Sequence, residues 1–216
     1  MSTYKFDKPN QSPWLTDVYN KVIPYKTDGF LVEIGVGHTI KGIDKVLPPD
    51  LTDFTRTGNN TADLIDLGWS GIYIDPVKEY CDEAKLAHIN NLDRLKIVNI
   101  GASDKKEELE LFLGDSFIPN GHNGDGYEWI GRTTGTDITS VILTAHNCPH
   151  DIDIMSIDVE GFEDRVLLGM DFELHSPKLI ILEINVIGPD LISSILGDSY
   201  DLIAADGLNG VWKRLS

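Results

Sequence analysis

Residues 153–163 run Asp-Ile-Met-Ser-Ile-Asp-Val-Glu-Gly-Phe-Glu, and residues 179–185 run Leu-Ile-Ile-Leu-Glu-Ile-Asn. Both stretches are short apolar runs that lead into acidic residues, a pattern typical of parallel strands that are covered on both faces. In parallel sheets, ligands bind at the carboxyl ends of the strands. The sequence therefore predicts that two neighbouring strands bring Asp158 and Glu183 to one edge of one crevice.

The rest of the chain alternates between similar apolar runs and segments with helical spacing. The other predicted strands are residues 30–34, 71–75, 95–100, 200–205 and 211–215, with an edge strand at 107–113. The predicted helices are residues 12–25, 61–67, 76–91, 137–146 and 189–196. This alternation predicts an α/β three-layer sandwich. Its seven-stranded sheet should be mostly parallel, with an antiparallel C-terminal hairpin turning at residues 207–210.

The length of 216 residues suits one domain, and we expect residues 1–216 to form it. Residues 1–28 are expected to form an N-terminal helical extension. Residues 116–135 are rich in Gly and Asn and are predicted to form a loop that faces the substrate. Residues 41–60, which contain several helix breakers, are predicted to form a second functional loop.

Charge and composition limit the function classes. The chain carries 35 acidic and 18 basic residues, a formal net charge of -17, which disfavours a nucleic-acid partner. Neither a membrane-spanning apolar run nor a signal-peptide core is present in the sequence. The two cysteines, Cys81 and Cys148, lack metal-ligand spacing. We therefore expect a cytoplasmic protein that acts on a small molecule, and the sequence makes no prediction of oligomeric state.

The first predicted strand runs into a glycine turn, Glu33-Ile34-Gly35-Val36-Gly37. Dinucleotide-binding enzymes carry G-x-G-x-x-G at this place, but Ile40 stands where the third glycine should be. The next acid at a strand end, Asp75, is also about twice as far along the chain as the acid that binds ribose in those enzymes. An NAD-dependent oxidoreductase is therefore a weaker alternative.

The acid before the turn indicates a different cofactor. Glu33 would face the phosphates of a dinucleotide, whereas it suits a cationic ligand. S-Adenosylmethionine has a sulfonium, an ammonium group and a ribose diol, which match an acidic turn and a second acid for the diol. The alternative that Gly35 and Gly37 only form a tight turn stays open, because a lone G-x-G is a weak signal.

Five ordered motifs resemble those of the FkbM-type methyltransferases, class I S-adenosylmethionine-dependent enzymes that mostly methylate hydroxyl groups of sugars and natural products. The resemblance extends from about Leu31 to the C terminus. Its motifs are residues 32–37, residues 60–61 with 68–76, residues 98–104, residues 157–163 and residues 182–183. In two places the chain departs from the family pattern. Glu33 stands where Asp is usual, and Val36 alone stands where Ala-Asn is common.

The resemblance implies a cofactor site for S-adenosylmethionine with the Rossmann-like fold of class I methyltransferases. Glu33, Gly35 and Gly37 would hold the methionine end of the cofactor, and Asp75 would take the ribose hydroxyls. The implied position of the adenine is near residues 102–103, which are Ala102 and Ser103.

Methyl transfer to a hydroxyl needs an aligned acceptor oxygen and a group that takes its proton. Asp158, Glu160 and Glu183 are the candidates, and His38 is a further candidate base or substrate contact. Acids at the corresponding strand ends of catechol-type relatives hold Mg²⁺, which implies Asp158 and Glu183 as alternative metal ligands. Asn185, two residues past Glu183 on the same strand face, is a further candidate oxygen ligand. A purely structural role for Asp158 and Glu183 also stays open.

These observations together predict an S-adenosylmethionine-dependent O-methyltransferase for a hydroxyl of a sugar, glycan or related small molecule. The alternative is a catalytically inactive protein that binds the cofactor or regulates a partner on the same scaffold, because a fold does not by itself determine function.

Overall fold

The computed structural model describes residues 2–6, 14–39, 60–108, 110–113, 128–132 and 135–215. Within these ranges the strands are β1 (Phe30–Ile34), β2 (Ser70–Asp75), β3 (Leu95–Asn99), β4 (Gly101–Ser103), β5 (Glu110–Leu113), β6 (Glu128–Arg132), β7 (Thr136–Ile138), β8 (Asp151–Ile157), β9 (Ser176–Glu183), β10 (Tyr200–Ala205) and β11 (Asn209–Arg214). The α-helices are α1 (Leu15–Val22), α2 (Ala62–Leu67), α3 (Lys78–Ala87), α4 (Thr139–Ala145), α5 (Glu163–Leu168) and α6 (Pro189–Leu196). In the described part of the chain, every helix is too short or too polar to cross a membrane.

Seven strands form the main sheet in the order β10-β11-β9-β8-β1-β2-β3. The pairs from β3 to β9 are all parallel, and β11 is antiparallel to both of its neighbours. This topology confirms the predicted α/β fold with its antiparallel C-terminal hairpin. Strand β1 has β2 on one side and β8 on the other, so the order of the strands reverses there. A crevice forms at such a switch point, at the carboxyl ends of the strands.

The core consists of two apolar layers, one on each face of the sheet. Along β1 the side chains alternate: Leu31 packs with the layer beneath α1, α2 and α3, while Val32 and Ile34 pack with the layer beneath α4, α5 and α6. The central strands are therefore buried on both faces. This burial explains why their sequences are continuous apolar runs rather than alternating ones.

Helices α3 and α4 begin later than expected because their predicted first residues have other partners. Helix α3 was expected from Pro76, but the Asp75 side chain accepts the backbone N–H of Val77 at 2.8 Å, and the helix begins at Lys78. The predicted helix 137–146 is shortened in the same way. Its first residues belong to β7, which pairs with β4, and α4 begins at Thr139.

The predicted substrate loop at residues 116–135 differs most from the structure. Strand β6 lies inside it and pairs with β5, so the expected edge strand belongs to a separate two-stranded ribbon and not to the main sheet. The remainder of that loop before Gly135, like the loop at residues 41–60 before Asn60, lies outside the described residues. Of the N-terminal extension, α1 packs against the sheet, and Asn20 exchanges two hydrogen bonds with the backbone of Tyr4.

Candidate active site

The glycine turn follows β1 and is held by the acid at the end of β2. Gly35 and Gly37 have φ values of 81° and 59°, which glycine adopts without the steric cost that other residues pay. The backbone N–H groups of Val36 and Gly37 donate to Oδ2 of Asp75 at 2.8 and 3.0 Å. The side chain of Asp75 therefore holds the turn in shape, because it accepts two hydrogen bonds from the backbone of the turn.

Asp75 is buried directly beside this turn. Its Oδ1 accepts the N–H of Val77, and burial raises the pKa of its carboxyl to about 6 even though the three amides lower it. A carboxylate oxygen can accept about two hydrogen bonds. Among the hydrogen bonds of the described residues, Oδ1 accepts this one alone, which leaves one acceptor position for a ligand hydroxyl.

Glu33 lies near the carboxyl end of β1, inside the sheet, and is only 2 % exposed. Its Oε1 accepts the backbone N–H of Asn60 at 3.2 Å, and its Oε2 accepts a hydrogen bond from the Thr61 hydroxyl. Burial raises the pKa of the Glu33 carboxyl to about 8. The structure therefore shows Glu33 as an internal acid that binds the start of α2, where the resemblance implied a contact with the methionine end of the cofactor.

A buried polar network extends from Glu33 across the central strands. The side-chain amide of Asn60 donates to the hydroxyl of Ser156 at 3.2 Å, and the hydroxyl of Tyr19 donates to the carbonyl of Asn60 at 3.0 Å. The Thr61 hydroxyl also lies 3.1 Å from that of Tyr73. Asn60 and Thr61 belonged to a family motif but were not predicted as site residues. Their position at the start of a short predicted helix was the available signal.

His38 is held on the α3 side of the glycine turn. Its Nδ1 lies 3.1 Å from Oε1 of Glu83, and its ring packs against that of Tyr80 with centroids 4.4 Å apart. Glu83 also accepts the backbone N–H of Thr39 at 3.2 Å. The imidazole is 47 % exposed, so about half of it faces solvent.

Three predicted catalytic acids come together at the ends of β8 and β9. Ligand oxygens of Asp158, Glu160 and Glu183 all lie within 4.8 Å of one another. Such a group of carboxylates can hold a cation or share a proton. Because these acids come from two neighbouring parallel strands, their convergence follows directly from the sheet topology.

Glu183 is the most buried member of this acid cluster, at 6 % exposure. Its Oε1 accepts a hydrogen bond from the Asn185 amide nitrogen at 2.9 Å, while its buried Oε2 makes no hydrogen bond to the described residues. Burial, followed by the negative charges of Asp158 and Glu160, raises the pKa of Glu183 to about 8. An acid that titrates near neutral pH is well suited to proton transfer. Asn185 contacts Glu183 through a nitrogen that cannot bind a metal.

The glycine turn and the acid cluster touch through the backbone. A Cβ atom built on Gly35 would lie 1.7 Å from the carbonyl oxygen of Asp158. The N–H of Asp158 donates to the carbonyl of Ile34, and the N–H of Gly35 donates to the carbonyl of Ile74, both at 2.9 Å. The two halves of the site therefore meet at the switch point between β1 and β8.

The loop that carries Asp158 and Glu160 depends on a residue that the sequence analysis did not select. Glu160 has a φ of 57°, a conformation that costs a residue with a side chain about 1–3 kcal/mol. Oε1 of Glu163 accepts the N–H groups of Val159 and Gly161, which flank Glu160. The available signal was the second acid in Glu-Gly-Phe-Glu, placed where a new helix begins.

Ala102 and Ser103, expected near the adenine, lie in β4 and are both buried. The carbonyl of Ser103 accepts a hydrogen bond from the Thr139 hydroxyl at 3.2 Å, and it would lie 2.0 Å from a Cβ built on Gly169. The Ser103 hydroxyl donates to Asp104 at 3.1 Å. These contacts tie β4 to α4 and α5, and a position near the adenine remains a prediction for this pair.

The sheet order, the glycine turn after β1 and the acids at the ends of β8 and β9 define a Rossmann-like methyltransferase fold. The chain belongs to the FkbM methyltransferase family, because the model of the methyltransferase FkbM domain matches residues 54–196, more than half of its length. The family implies S-adenosylmethionine as the methyl donor. The match contains Asp75 and the acid cluster but begins after the glycine turn, so it is shorter than the resemblance that begins at Leu31.

Solved structures of low identity accompany this match. A proposed rRNA methylase from Clostridium thermocellum is 12% identical with a TM-score of 0.50, over 98% of this chain and 99% of that chain. A methyltransferase from Geobacter sulfurreducens is 14% identical with a TM-score of 0.44, over 88% of this chain and 73% of that chain. A SAM-dependent methyltransferase from Agrobacterium tumefaciens is 13% identical with a TM-score of 0.46, over 93% of this chain and 59% of that chain. No curated protein shows significant similarity. The Clostridium thermocellum structure supports the fold alone.

Proposed function

We propose that this protein is an S-adenosylmethionine-dependent O-methyltransferase whose acceptor is a hydroxyl group of a sugar, glycan or related small molecule. The observation that carries the proposal is the direct contact of Gly35, in the glycine turn, with Asp158 of the acid cluster. Methyl transfer requires the acceptor oxygen behind the methyl carbon and a proton acceptor within reach of that oxygen. A cofactor in the turn and an acceptor at the acids would meet this requirement.

In this proposal Glu183 takes the proton of the acceptor hydroxyl. Its pKa of about 8 makes it a stronger base than an ordinary carboxylate while it still ionises near neutral pH. Asp158 and Glu160 would bind further hydroxyl groups of the acceptor as hydrogen-bond acceptors. S-Adenosylmethionine supplies the methyl group when bound.

The glycine turn provides room for the cofactor. Among the described residues, no atom lies within 4 Å of a Cβ built on Gly37, which leaves space beside the backbone for a ligand. The remaining acceptor position of Asp75 would take a ribose hydroxyl. Glu33 would act on the cofactor site through Asn60 and Thr61, because both of its carboxylate oxygens are engaged by these residues.

A second proposed role for the acid cluster is a Mg²⁺ site. Three convergent carboxylates and the buried Oε2 of Glu183 fit the preference of Mg²⁺ for oxygen ligands. Asp158, Glu160 and Glu183 would hold the ion, and the side-chain oxygen of Asn185 would be a further ligand. Methyl transfer that survives removal of divalent ions with EDTA would contradict this role and leave Glu183 as the base.

The inactive-scaffold alternative is favoured by one observation: the family match begins after the glycine turn. Calorimetry with S-adenosylhomocysteine, with NAD as the control ligand, tests the cofactor. Transfer of radiolabelled methyl groups to a panel of sugars, glycans and other hydroxyl compounds, with an RNA sample included, tests the acceptor. Methyl transfer to a sugar is expected. Binding without transfer to any acceptor would favour the inactive scaffold, and transfer to RNA alone would overturn the proposed acceptor class.

A further inference from the structure

Glu163 occupies a special position in the acid-bearing loop. It is the first residue of α5, and at 1 % exposure its carboxyl cannot reach a ligand in the crevice. Its Oε1 instead accepts the backbone N–H groups of Val159 at 3.0 Å and of Gly161 at 3.2 Å. Oε1 of Glu163 therefore closes the loop by binding the amides of the two residues on either side of Glu160.

Glu160 depends on this closure. It has a φ of 57°, and Gly161 follows with a φ of 92°, so two successive residues take left-handed backbone. A side chain at the first of these positions is unfavourable and persists only where the surroundings enforce it. The two amides held by Glu163 flank Glu160, and they orient its peptide groups so that its carboxylate lies beside those of Asp158 and Glu183.

Two other contacts confine the loop from outside. The carbonyl of Asp158 packs against Gly35, and a Cβ built on Gly161 would lie 2.9 Å from the side chain of Val186. The third contact is the pair of hydrogen bonds between Glu163 and the backbone of the loop itself. The three contacts together leave the acid-bearing loop little freedom relative to Glu183.

We propose that Glu163 is a positioning residue of the active site, which holds Asp158 and Glu160 in the arrangement that receives the methyl acceptor. This inference deepens the proposed methyl transfer and rests on it for its functional part. The structural part, closure of the loop by Oε1, stands independently. The inference concerns geometry and not charge, because a single acceptor oxygen carries both hydrogen bonds.

Three variants separate geometry from charge. Glu163→Gln removes the charge but keeps an acceptor oxygen at the same distance. Glu163→Asp keeps the charge and the helix-starting acid but is one methylene shorter, so it cannot reach both amides. Asp164→Asn is the matched control, since it removes an acid from the same helical turn. In the described structure, the hydrogen bond of the Asp164 side chain is with the backbone N–H of the next residue, Arg165. All three changes are small, and a thermal melt of each verifies folding.

The first measurement is amide hydrogen exchange at Val159 and Gly161, which needs no acceptor or cofactor. We expect Glu163→Asp to lose at least about tenfold of the protection of both amides, with Glu163→Gln and Asp164→Asn close to the wild type. Equal protection in Glu163→Asp and the wild type would overturn the inference. A loss in Glu163→Gln as large as that in Glu163→Asp would also overturn it, because an acceptor oxygen within reach would then not be enough to close the loop.

The second measurement is methyl transfer at saturating cofactor. Glu163→Asp should lower kcat/KM for the acceptor by about 10- to 100-fold, and Glu163→Gln should restore most of it. The affinity for S-adenosylhomocysteine should change by less than about threefold in each variant, because Asp75 holds the glycine turn separately. If the wild type transfers no methyl group, the proposed function fails, while the exchange data still decide whether Glu163 closes the loop. If Glu163→Asp loses the protection of both amides and yet keeps the wild-type kcat/KM, the proposed positioning role of Glu163 in methyl transfer is overturned.

Discussion

Gly35 lies against the carbonyl oxygen of Asp158 so closely that a Cβ on Gly35 would come within 1.7 Å of it. The backbone φ of 81° at Gly35 adds a second reason for glycine. The cofactor turn and the acid-bearing loop therefore share one contact surface. A side chain added at Gly35 should therefore disturb both the turn and the loop.

Gly35→Ala should consequently damage both halves of the site. We expect the affinity for S-adenosylhomocysteine to fall at least about tenfold and the free energy of unfolding to fall by about 2–4 kcal/mol. Gly37→Ala is the matched control, because its Cβ would meet no atom of the described residues within 4 Å. Its positive φ opposes the change with a cost of about 1 kcal/mol. Calorimetry and urea unfolding measure the two quantities. Equal effects of the two substitutions would refute the importance of the contact.

Asp75→Asn tests the acid that shapes the turn. An Asn side chain can supply an acceptor to one side only, so its NH₂ group would face either the amides of Val36 and Gly37 or that of Val77. We expect the affinity for S-adenosylhomocysteine to fall by about 10- to 100-fold, a loss of about 1.4–2.7 kcal/mol. Calorimetry at pH 8 provides the measurement. Glu79→Gln, which changes an exposed acid on the neighbouring helix, should bind like the wild type.

The buried acid Glu33 should make stability depend on pH. Its pKa is raised from 4.5 to about 8, so between these values the folded state holds a proton that the unfolded state has released. The free energy of unfolding should therefore decrease as pH rises through this window, by at most about 1.4 kcal/mol per pH unit for this group. Glu33→Gln should flatten the slope between pH 6 and pH 8 in urea unfolding. A slope that is identical in the variant would show that Glu33 titrates normally.

Glu183→Gln should separate chemistry from cofactor binding. Loss of a general base should lower kcat by about 10²- to 10⁴-fold. The affinity for S-adenosylhomocysteine should stay within about threefold of the wild type. Glu183 is the last residue of β9, whereas the glycine turn is held by residues of β1 and β2. Methyl-transfer kinetics and calorimetry give the two values, with Glu173→Gln on the surface as the control. An unimpaired kcat would assign the base to another residue.

The convergence of Asp158 and Glu183 could be predicted from sequence, because apolar runs that end in acids place those acids at one edge of a parallel sheet. The burial of Glu33 could not, since it depends on Asn60, a residue 27 positions away. The role of Glu163 was also hidden. An acid at the start of a helix usually favours the helix dipole at the surface, and only the tertiary structure shows that its carboxyl points inward.

Strand β6 shows a similar limit. Its surroundings are rich in Gly and Asn, and such local composition predicts a loop. Pairing with β5 is a non-local interaction, and it outweighed the local preference.

The central position of β1 has a consequence for how the protein is made. One edge of β1 pairs with β8, and Phe30 donates a hydrogen bond to Asp153, 123 residues further along the chain. During synthesis, the strand that leads into the glycine turn must wait with an unpaired edge until β8 has emerged. A fragment that ends before residue 151 would contain the glycines and Asp75 but not the loop that packs against them. We therefore expect nascent or truncated chains to bind the cofactor only when β8 is present and the central sheet is complete.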